Sequence, residues 1–134
     1  MSAELCWSII RKNSCFLKKS HGLTLSKEPN NLTGINSFKY NGLVNKKTVG
    51  VDAAPSGKGV VLAIRKTKGG RCPAKALSKT TIHGGRHAIK TIQNTLGSNG
   101  YRKDLTKSAV KKACALLRSQ NTSVVKKNKS RRKK

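Results

Sequence analysis

The run Val60-Val61-Leu62-Ala63-Ile64, followed at once by Arg65 and Lys66, is the stretch of sequence that decides the fold. Five apolar residues in a row, without polar alternation, are typical of a strand that is buried on both faces of a sheet. The two cations that close the run mark the end of this strand. We therefore expect residues 60–64 to form the central strand.

Alternating patterns on the N-terminal side of this run predict its sheet partners. Thr48-Val49-Gly50-Val51 alternates, and a turn at Ala54-Pro55-Ser56-Gly57 follows it. Ser37-Phe38-Lys39-Tyr40 also alternates, Asn41-Gly42 is a strong hairpin-turn signal, and Leu43-Val44 could begin a returning strand. Together these pieces predict an antiparallel meander of about three strands.

Helical periodicity appears at both ends of the chain. Ser2 to about Lys12 reads as a short helix that Ser2 could cap. Residues from about Arg86 to Leu96 predict a second helix, and residues from about Asp104 to Ser119 a third, with Asp104 as its N-cap. The third helix has an apolar inner face and a basic outer face. Its inner face consists of Leu105, Ala109, Ala113, Leu116 and Leu117, and its outer face of Lys107, Lys111 and Arg118.

Two segments are basic and lack an apolar pattern. From Thr67 to about Arg86 the chain is basic and rich in glycine, so we expect an exposed loop there. From Lys126 to Lys134, seven of nine residues are basic and none is apolar, which prevents independent folding. The sequence thus predicts an α+β fold: a small antiparallel sheet, an N-terminal helix, two C-terminal helices and basic loop and tail extensions. Residues 1–120 would form one α+β domain, and residues 121–134 a basic C-terminal tail.

Charge is the dominant property of the composition. The chain of 134 residues has 30 Lys and Arg but only four acids, which gives a formal net charge of +26. A small domain needs a net charge of only about 2 to 8 for solubility. The excess creates self-repulsion that a bound polyanion would relieve. Cations occur in every segment, as expected for phosphate neutralisation at many sites, so we predict a nucleic-acid-binding protein.

Catalytic, metal and membrane functions find little support in the sequence. The acids Glu4, Glu28, Asp52 and Asp104 are dispersed, which leaves no carboxylate pair for acid–base chemistry. The four cysteines are widely spaced, without the ligand spacing of zinc modules or the context for a disulfide framework. No signal peptide or run of about 20 apolar residues is present. We predict no catalytic residue, no metal site, no cofactor, no small-molecule substrate and no membrane association.

Several short stretches resemble one ribosomal protein family, that of the twenty-eighth protein of the eukaryotic large subunit. They occur in the same order over roughly residues 1 to 120. These stretches are Met1-Ser2-Ala3 with Trp7, Glu28-Pro29-Asn30-Asn31-Leu32, Ser37-Phe38-Lys39-Tyr40-Asn41-Gly42-Leu43, Lys47-Thr48-Val49-Gly50-Val51, Gly57-Lys58-Gly59-Val60-Val61, Tyr101-Arg102-Lys103-Asp104-Leu105 and Ala115-Leu116-Leu117-Arg118-Ser119-Gln120.

The resemblance implies a ribosomal protein with a mixed α/β body that is fixed on large-subunit (60S) rRNA and lacks catalytic activity. Its partners would be that rRNA and neighbouring ribosomal proteins. It would work in the cytoplasm after transit through the nucleus and nucleolus for assembly. Our hypothesis for the RNA contacts combines cations and one aromatic near the predicted hairpin, the strand end, the last helix and the tail. These residues are Lys39, Tyr40, Lys46, Lys47, Arg65, Lys66, Arg102, Lys111, Lys112, Arg118, Lys126, Lys127, Lys129, Arg131 and Arg132.

Three other function classes remain open on charge alone. A chromatin or DNA-binding protein could have the same composition, because charge does not separate RNA from DNA. A cationic membrane-active or secreted factor is disfavoured by the missing signal peptide. An RNA-processing enzyme would have to build its chemistry from four scattered acids or from a Cys/His pair that includes Cys72.

Overall fold

The computed structural model of the protein describes residues 2–67 and 72–121. Two antiparallel sheets and the helices that pack on one of them make up the fold. In chain order the elements are α1 (Ala3–Ile10), β1 (Leu17–Ser20), β2 (Leu23–Ser26), β3 (Val49–Ala53), β4 (Val60–Arg65), α2 (Pro73–Ala76), β5 (Leu77–Ile82), α3 (Gly85–Gln93) and α4 (Thr106–Gln120). A π-helical turn, Asn94–Ser98, extends α3, and a 3-10 turn, Lys103–Leu105, leads into α4. The α+β class with one N-terminal and two C-terminal helices is confirmed.

The larger sheet has the order β3-β4-β5, so the predicted central strand is central. Val60 and Leu62 of β4 are buried in the core beneath the helices. On the opposite face, Ala63 is buried but Val61 only half-buried, and a cavity of about 350 Å³ lies there. The predicted burial on both faces is therefore only partly right, because Val61 remains half-buried on the second face.

Alanines bring α4 close to the sheet. Ala109 and Ala113 lie four residues apart on one helix face, and both are fully buried. Their small side chains let the helix backbone approach β3, while the larger Ile92 and Leu96 of the α3 segment fill the adjoining space. The inner face predicted for the third helix is confirmed, with Leu116 and Leu117 at its edge.

The third strand of the sheet is not the one that the sequence predicted. The exposed loop predicted from Thr67 to about Arg86 is wrong for residues 73–82, which form α2 and β5. β5 pairs with β4 along its whole length, from Leu77 opposite Arg65 to Ile82 opposite Val60. Its exposed residues are polar, Lys79, Thr80 and Thr81, because β5 is an edge strand. That polarity concealed it, although two adjacent threonines favour a strand.

The hairpin predicted around Asn41-Gly42 is also wrong, since residues 37–45 form turns without strand pairing. The Asn41 side chain is buried and accepts the backbone N–H groups of Leu43 and Val44 at 2.9 and 2.8 Å. Gly42 lets the backbone of this turn pack directly against the backbone at Pro29, because a Cβ at position 42 would clash with the Pro29 carbonyl oxygen. The tight hairpin turn in the structure lies instead between β1 and β2, where His21 and Gly22 both have positive φ.

A buried carboxylate organises the segment between the two sheets. Glu28 is 6% exposed, and it accepts the amide groups of Asn31 at 2.8 Å and Asn41 at 2.6 Å. Asn31 also accepts the N–H groups of Thr33 and Gly34. Burial raises the pKa of Glu28 above its usual 4.5, and hydrogen bonds to the carboxylate oppose this rise. Glu28, which the sequence showed only as one of four dispersed acids, thus joins two loops through a partner 13 residues away.

Neither predicted helix cap forms. Ser2 makes no side-chain hydrogen bond to α1, and α4 begins after Leu105 without a side-chain cap. Asp104 lies in the preceding 3-10 turn, where its carboxylate binds Arg102 instead of a helix N–H group.

An isoleucine pair tests where the stability of the fold resides. Ile92→Ala is expected to lower the free energy of unfolding by about 2–5 kcal/mol, because it leaves a cavity in the fully buried core. Ile9→Ala in α1, where the side chain is 61% exposed, should change it by less than about 0.5 kcal/mol. Urea unfolding followed by circular dichroism measures both, and similar losses would contradict the position of the core.

Candidate nucleic-acid interface

Five of the predicted cations lie around the segment Tyr101-Arg102, and we call this group the Tyr101 cluster. Hydrogen bonds from Tyr101 and Arg102 reach the backbone of Lys39, Lys47 and Arg65, three positions far apart in sequence. Lys46 and Lys66 are their exposed chain neighbours. The Tyr101 cluster thus consists of Lys39, Lys46, Lys47, Arg65 and Lys66, which the fold brings together from two loops and the end of β4.

Arg102 holds this cluster in place from within the protein. Its guanidinium donates to the carbonyl oxygens of Lys47 at 3.0 Å and Lys39 at 3.1 Å. It also forms a bidentate pair with Asp104, at 2.9 and 2.7 Å. Four of the five N–H donors of an arginine are therefore used inside the chain. The structure places Arg102, one of the predicted RNA contacts, as a support for its neighbours.

The Arg102–Asp104 pair has an electrostatic signature. The hydrogen bond from Arg102 lowers the pKa of Asp104 below its usual 3.8, and the charges of Arg102 and Lys39 act in the same direction. Partial burial of the carboxylate opposes this shift. The carboxylate accordingly stays ionised and neutralises one cation in the middle of the cluster.

Tyr101 links the same segment to the sheet. Its hydroxyl donates a hydrogen bond to the carbonyl oxygen of Arg65 at the end of β4, and the carbonyl oxygen of Thr48 lies 3.5 Å away. Burial raises the pKa of Tyr101, which keeps the hydroxyl protonated as a donor. The Lys47 ammonium lies 5.5 Å from the centre of the ring. Tyr101 is therefore anchored at its hydroxyl end and covered by a cation on its ring.

Tyr40, the predicted aromatic contact, has a similar environment. Its ring packs against the hydrophobic core, and its hydroxyl lies 3.3 Å from the Ser108 hydroxyl of α4. The Lys39 ammonium is 5.6 Å from the ring centre. The ring is half-buried, so only part of its surface is accessible for stacking on a base.

The cations of α4 divide between two sides of the helix. Lys107, Lys111 and Arg118 are exposed, and their spacing of four and seven residues places them in one stripe. Lys111 and Arg118 are two turns apart, or about 10.5 Å along the axis. Lys112 points elsewhere: its ammonium lies 3.5 Å from Asp52 and 3.4 Å from the Asn31 carbonyl oxygen. Lys111 and Arg118 are thus available to a partner, whereas Lys112 is engaged within the fold.

The predicted RNA contacts left out two exposed cations, Lys103 and Lys107, although Lys107 belongs to the basic outer face predicted for the third helix. Lys103 follows Arg102 directly, and Lys107 lies four residues before Lys111. The helical spacing of Lys103, Lys107 and Lys111 is the signal that could have identified both residues. The predicted tail contacts Lys126, Lys127, Lys129, Arg131 and Arg132 lie outside the described residues.

The remaining chemistry of the described residues is sparse. Within residues 2–67 and 72–121, no three His, Cys, Asp or Glu side chains lie close enough together to hold a metal ion. All four cysteines are free; Cys6 and Cys114 are half-buried, and Cys15 and Cys72 are exposed. No helix in the same ranges is both long enough and apolar enough to cross a membrane.

Comparisons with known proteins agree on one family. The model of the Ribosomal L28e protein family matches residues 5–119. The chain is 51% identical over 82 residues to large ribosomal subunit protein eL28 of Dictyostelium discoideum, an alignment that covers 61% of each chain. It is 42% identical over 127 residues to eL28 of Schizosaccharomyces pombe, covering 90% of this chain and 93% of that one. Identity to eL28 of Caenorhabditis elegans is 38% over 122 residues, covering 90% and 91%.

The Arg102–Asp104 pair should give unfolding a specific pH dependence. Because the folded-state pKa of Asp104 is lowered, its stabilising effect is fully present above the usual value of 3.8 and is lost as pH falls through the folded pKa. Asp104→Asn should therefore lower the free energy of unfolding at pH 6, by less than about 1 kcal/mol since the carboxylate side chain is 42% exposed. Near pH 2 the variant and the unmodified protein should be equally stable.

Urea unfolding of both proteins between pH 2 and pH 7 gives the free energy of unfolding of each, and the difference between the two is plotted against pH. Taking the difference matters because Glu28, whose pKa is raised, acts in the opposite direction and loses stabilisation as pH rises. The control is a double-mutant cycle with Arg102→Met, in which Asp104→Asn should have little further effect. A difference that does not depend on pH, or that survives in the Arg102→Met background, would assign the effect to another interaction.

Proposed function

The chain belongs to the Ribosomal L28e protein family and has a structural role in the large ribosomal subunit, and we propose that it performs this role by neutralising rRNA phosphates with two fixed groups of cations. One group is the Tyr101 cluster, and the other is the stripe of Lys107, Lys111 and Arg118 on α4. Both groups belong to the folded body. The proposed task is to fix the relative positions of the rRNA segments that they touch.

One observation carries this proposal: Arg102 gives up its own hydrogen-bonding capacity to position other cations. The guanidinium binds the main-chain carbonyls of Lys39 and Lys47 and so fixes the backbone of both lysines, whose ammonium groups lie over the rings of Tyr40 and Tyr101. The two residues are exposed. A chain that only needed solubility would gain nothing from fixing lysines in this way, whereas a ligand with regularly spaced phosphates would.

The expected mode of recognition is contact with the RNA backbone and its shape. Base-specific readout of single strands usually stacks bases on accessible aromatic rings. Here Tyr40 and Tyr101 are half-buried, and Trp7 packs against Phe38 with ring centres 6.0 Å apart. Lysine ammonium groups act as point charges on phosphates, which position a protein without reading sequence. We therefore propose affinity for folded rRNA with little preference for individual bases.

The other parts of the proposal follow from the family and the composition. Residues 1–120 would act as one RNA-binding domain, and residues 121–134 would add phosphate contacts through Lys126, Lys127, Lys129, Arg131 and Arg132. Neighbouring ribosomal proteins would be further partners. The protein would act in the cytoplasm, with assembly in the nucleus and nucleolus. We propose no catalysis and no cofactor, because the acids of the described chain each have a partner or an isolated position.

Fractionation of cell extracts tests the proposal against a chromatin role. The tagged full-length chain should sediment with the 60S particle in a sucrose gradient, and RNase but not DNase should release it. Recovery in a DNase-sensitive chromatin fraction would overturn the proposed function. An RNA-processing role would instead show as turnover of an RNA substrate by the purified protein.

Two adjacent lysines of α4 provide a matched test of the contact residues. Lys111→Ala is expected to reduce the slope of log K against log[salt] for purified large-subunit rRNA by about 1, since one phosphate contact is lost. Lys112→Ala removes the same charge, but that charge already faces Asp52 and Asn31. It should reduce the slope by less than half as much. Filter binding from 50 to 300 mM salt measures both slopes, and equal reductions would show that only net charge matters.

A further inference from the structure

Helix α1 has large apolar side chains on its outer face as well as on its inner face. Surface helices normally turn their apolar stripe toward the core and their polar residues toward solvent. In α1 no residue is fully buried, and the large apolar side chains Leu5 and Ile9 are 55% and 61% exposed. The inner face consists of the half-buried Ala3, Cys6, Trp7 and Ile10, and the outer face of the exposed Glu4, Leu5, Ser8 and Ile9.

The orientation of α1 is fixed by contacts on its inner side. Trp7 packs against Phe38, with ring centres 6.0 Å apart and ring planes inclined by 57°. At the end of the helix, the carbonyl oxygen of Arg11 accepts a hydrogen bond of 2.8 Å from the Asn36 side chain. These two contacts tie both the middle and the end of the helix to residues 36–38. Leu5 and Ile9, on the other side, are therefore held outward by the fold itself.

The charge of α1 distinguishes it from the rest of the chain. Residues 3–10 contain one acid, Glu4, and no lysine or arginine, although the whole chain has 30. The first cations, Arg11 and Lys12, come after the last residue of the helix. Phosphates placed on the outer face would meet a carboxylate and two hydrocarbon side chains. This face is thus unsuited to the RNA backbone that the cationic groups suit.

A second copy of the chain is an equally poor match for this face. Two copies joined through their outer faces would bring together two bodies that each have a formal charge of +26. Neither outer face has a cation to offer to the Glu4 of the other. The complementary surface is apolar at its centre, to cover Leu5 and Ile9, and basic at the edge that faces Glu4.

We propose that the outer face of α1 docks on another protein of the large ribosomal subunit, one that presents an apolar surface with a basic edge. The inference rests on the large-subunit role of the chain, and it does not depend on the proposed rRNA contacts. It gives the protein two separate surfaces: cationic groups for RNA and one cation-free helix face for a protein neighbour. In the assembled particle Leu5 and Ile9 then become buried.

Site-specific cross-linking in assembled particles identifies what covers this face. A diazirine analogue of leucine is placed at position 9 of the full-length chain, which is expressed in eukaryotic cells, and 60S particles are purified and irradiated. The carbene inserts into whatever lies within reach, protein or RNA. We expect an RNase-resistant adduct that contains a peptide of another large-subunit protein. An RNase-sensitive adduct, an adduct with this same chain, or no adduct from particles that contain the chain would each overturn the proposal.

A second cross-linking position separates this inference from the proposed function. A diazirine analogue of lysine at position 111, on the outer stripe of α4, should give an RNase-sensitive adduct in the same particles. If position 111 gave a protein adduct and position 9 did too, the rRNA contact on α4 would fail while the docking face stood. If position 111 gave RNA and position 9 gave RNA as well, the reverse would hold.

A competition assay tests the same face without a probe. Leu5→Ala/Ile9→Ala keeps the helix propensity of α1 high and removes most of its exposed apolar surface. Expressed beside an equal amount of the unmodified chain, the variant should be several-fold under-represented in 60S particles. Its purified form should have an unchanged melting temperature. The control Leu5→Ile/Ile9→Leu keeps an apolar face and should be incorporated normally, and equal incorporation of all three chains would overturn the proposal.

Discussion

Self-repulsion among 30 cations is the constraint on which the rest of the structure depends. With four acids in the chain, charge pairing can stabilise only a few places, and in the described residues two ion pairs form. Each acid has a separate place. Glu28 joins two loops, Asp104 holds Arg102, Asp52 faces Lys112, and Glu4 lies on α1, whose eight residues include no lysine or arginine. Three of the four carboxylates thus hold a partner within the chain, and most cations of residues 2–67 and 72–121 form no ion pair.

Hydrogen bonds from neutral side chains, rather than ion pairs, join several distant segments of this chain. The Gln120 side chain both donates to and accepts from the backbone of Gly59, at 2.8 Å each, and so fastens the end of α4 to the turn between β3 and β4. Tyr101 joins its segment to the end of β4 in the same way, and Asn41 donates to the buried Glu28 carboxylate across 13 residues. Salt screens such bonds far less than it screens charges. These bonds therefore stabilise the body at salt concentrations that weaken the interactions among its exposed charges.

The sequence predicted those features that depend on local periodicity. The apolar run of β4 and the helical spacing of α4 fixed the central strand, the inner alanines and the exposed stripe of Lys111 and Arg118. The sequence did not reveal β5, because Lys79, Thr80 and Thr81 of this edge strand face solvent and leave no apolar pattern. The sequence also did not reveal the burial of Glu28, since one of its two amide partners, Asn41, is 13 residues away in what looked like a hairpin turn. Arg102 was predicted as an RNA contact. Its role in holding Lys39 and Lys47 was not visible in the sequence, because only the folded chain brings the carbonyls of these two lysines to its guanidinium.

These non-local contacts are what turn a high charge into a defined surface. A chain with evenly distributed cations binds any polyanion in many orientations, because no arrangement of charges is preferred. Here Arg102 and Tyr101 gather cations from residues 39, 47 and 65 on one side, and α4 aligns others along one face. Helix α1 lacks cations altogether and exposes Leu5 and Ile9. If the proposed rRNA contacts and the proposed docking face of α1 both hold, charge and apolar burial favour the same orientation of the protein, with its cationic groups against RNA and α1 against a protein.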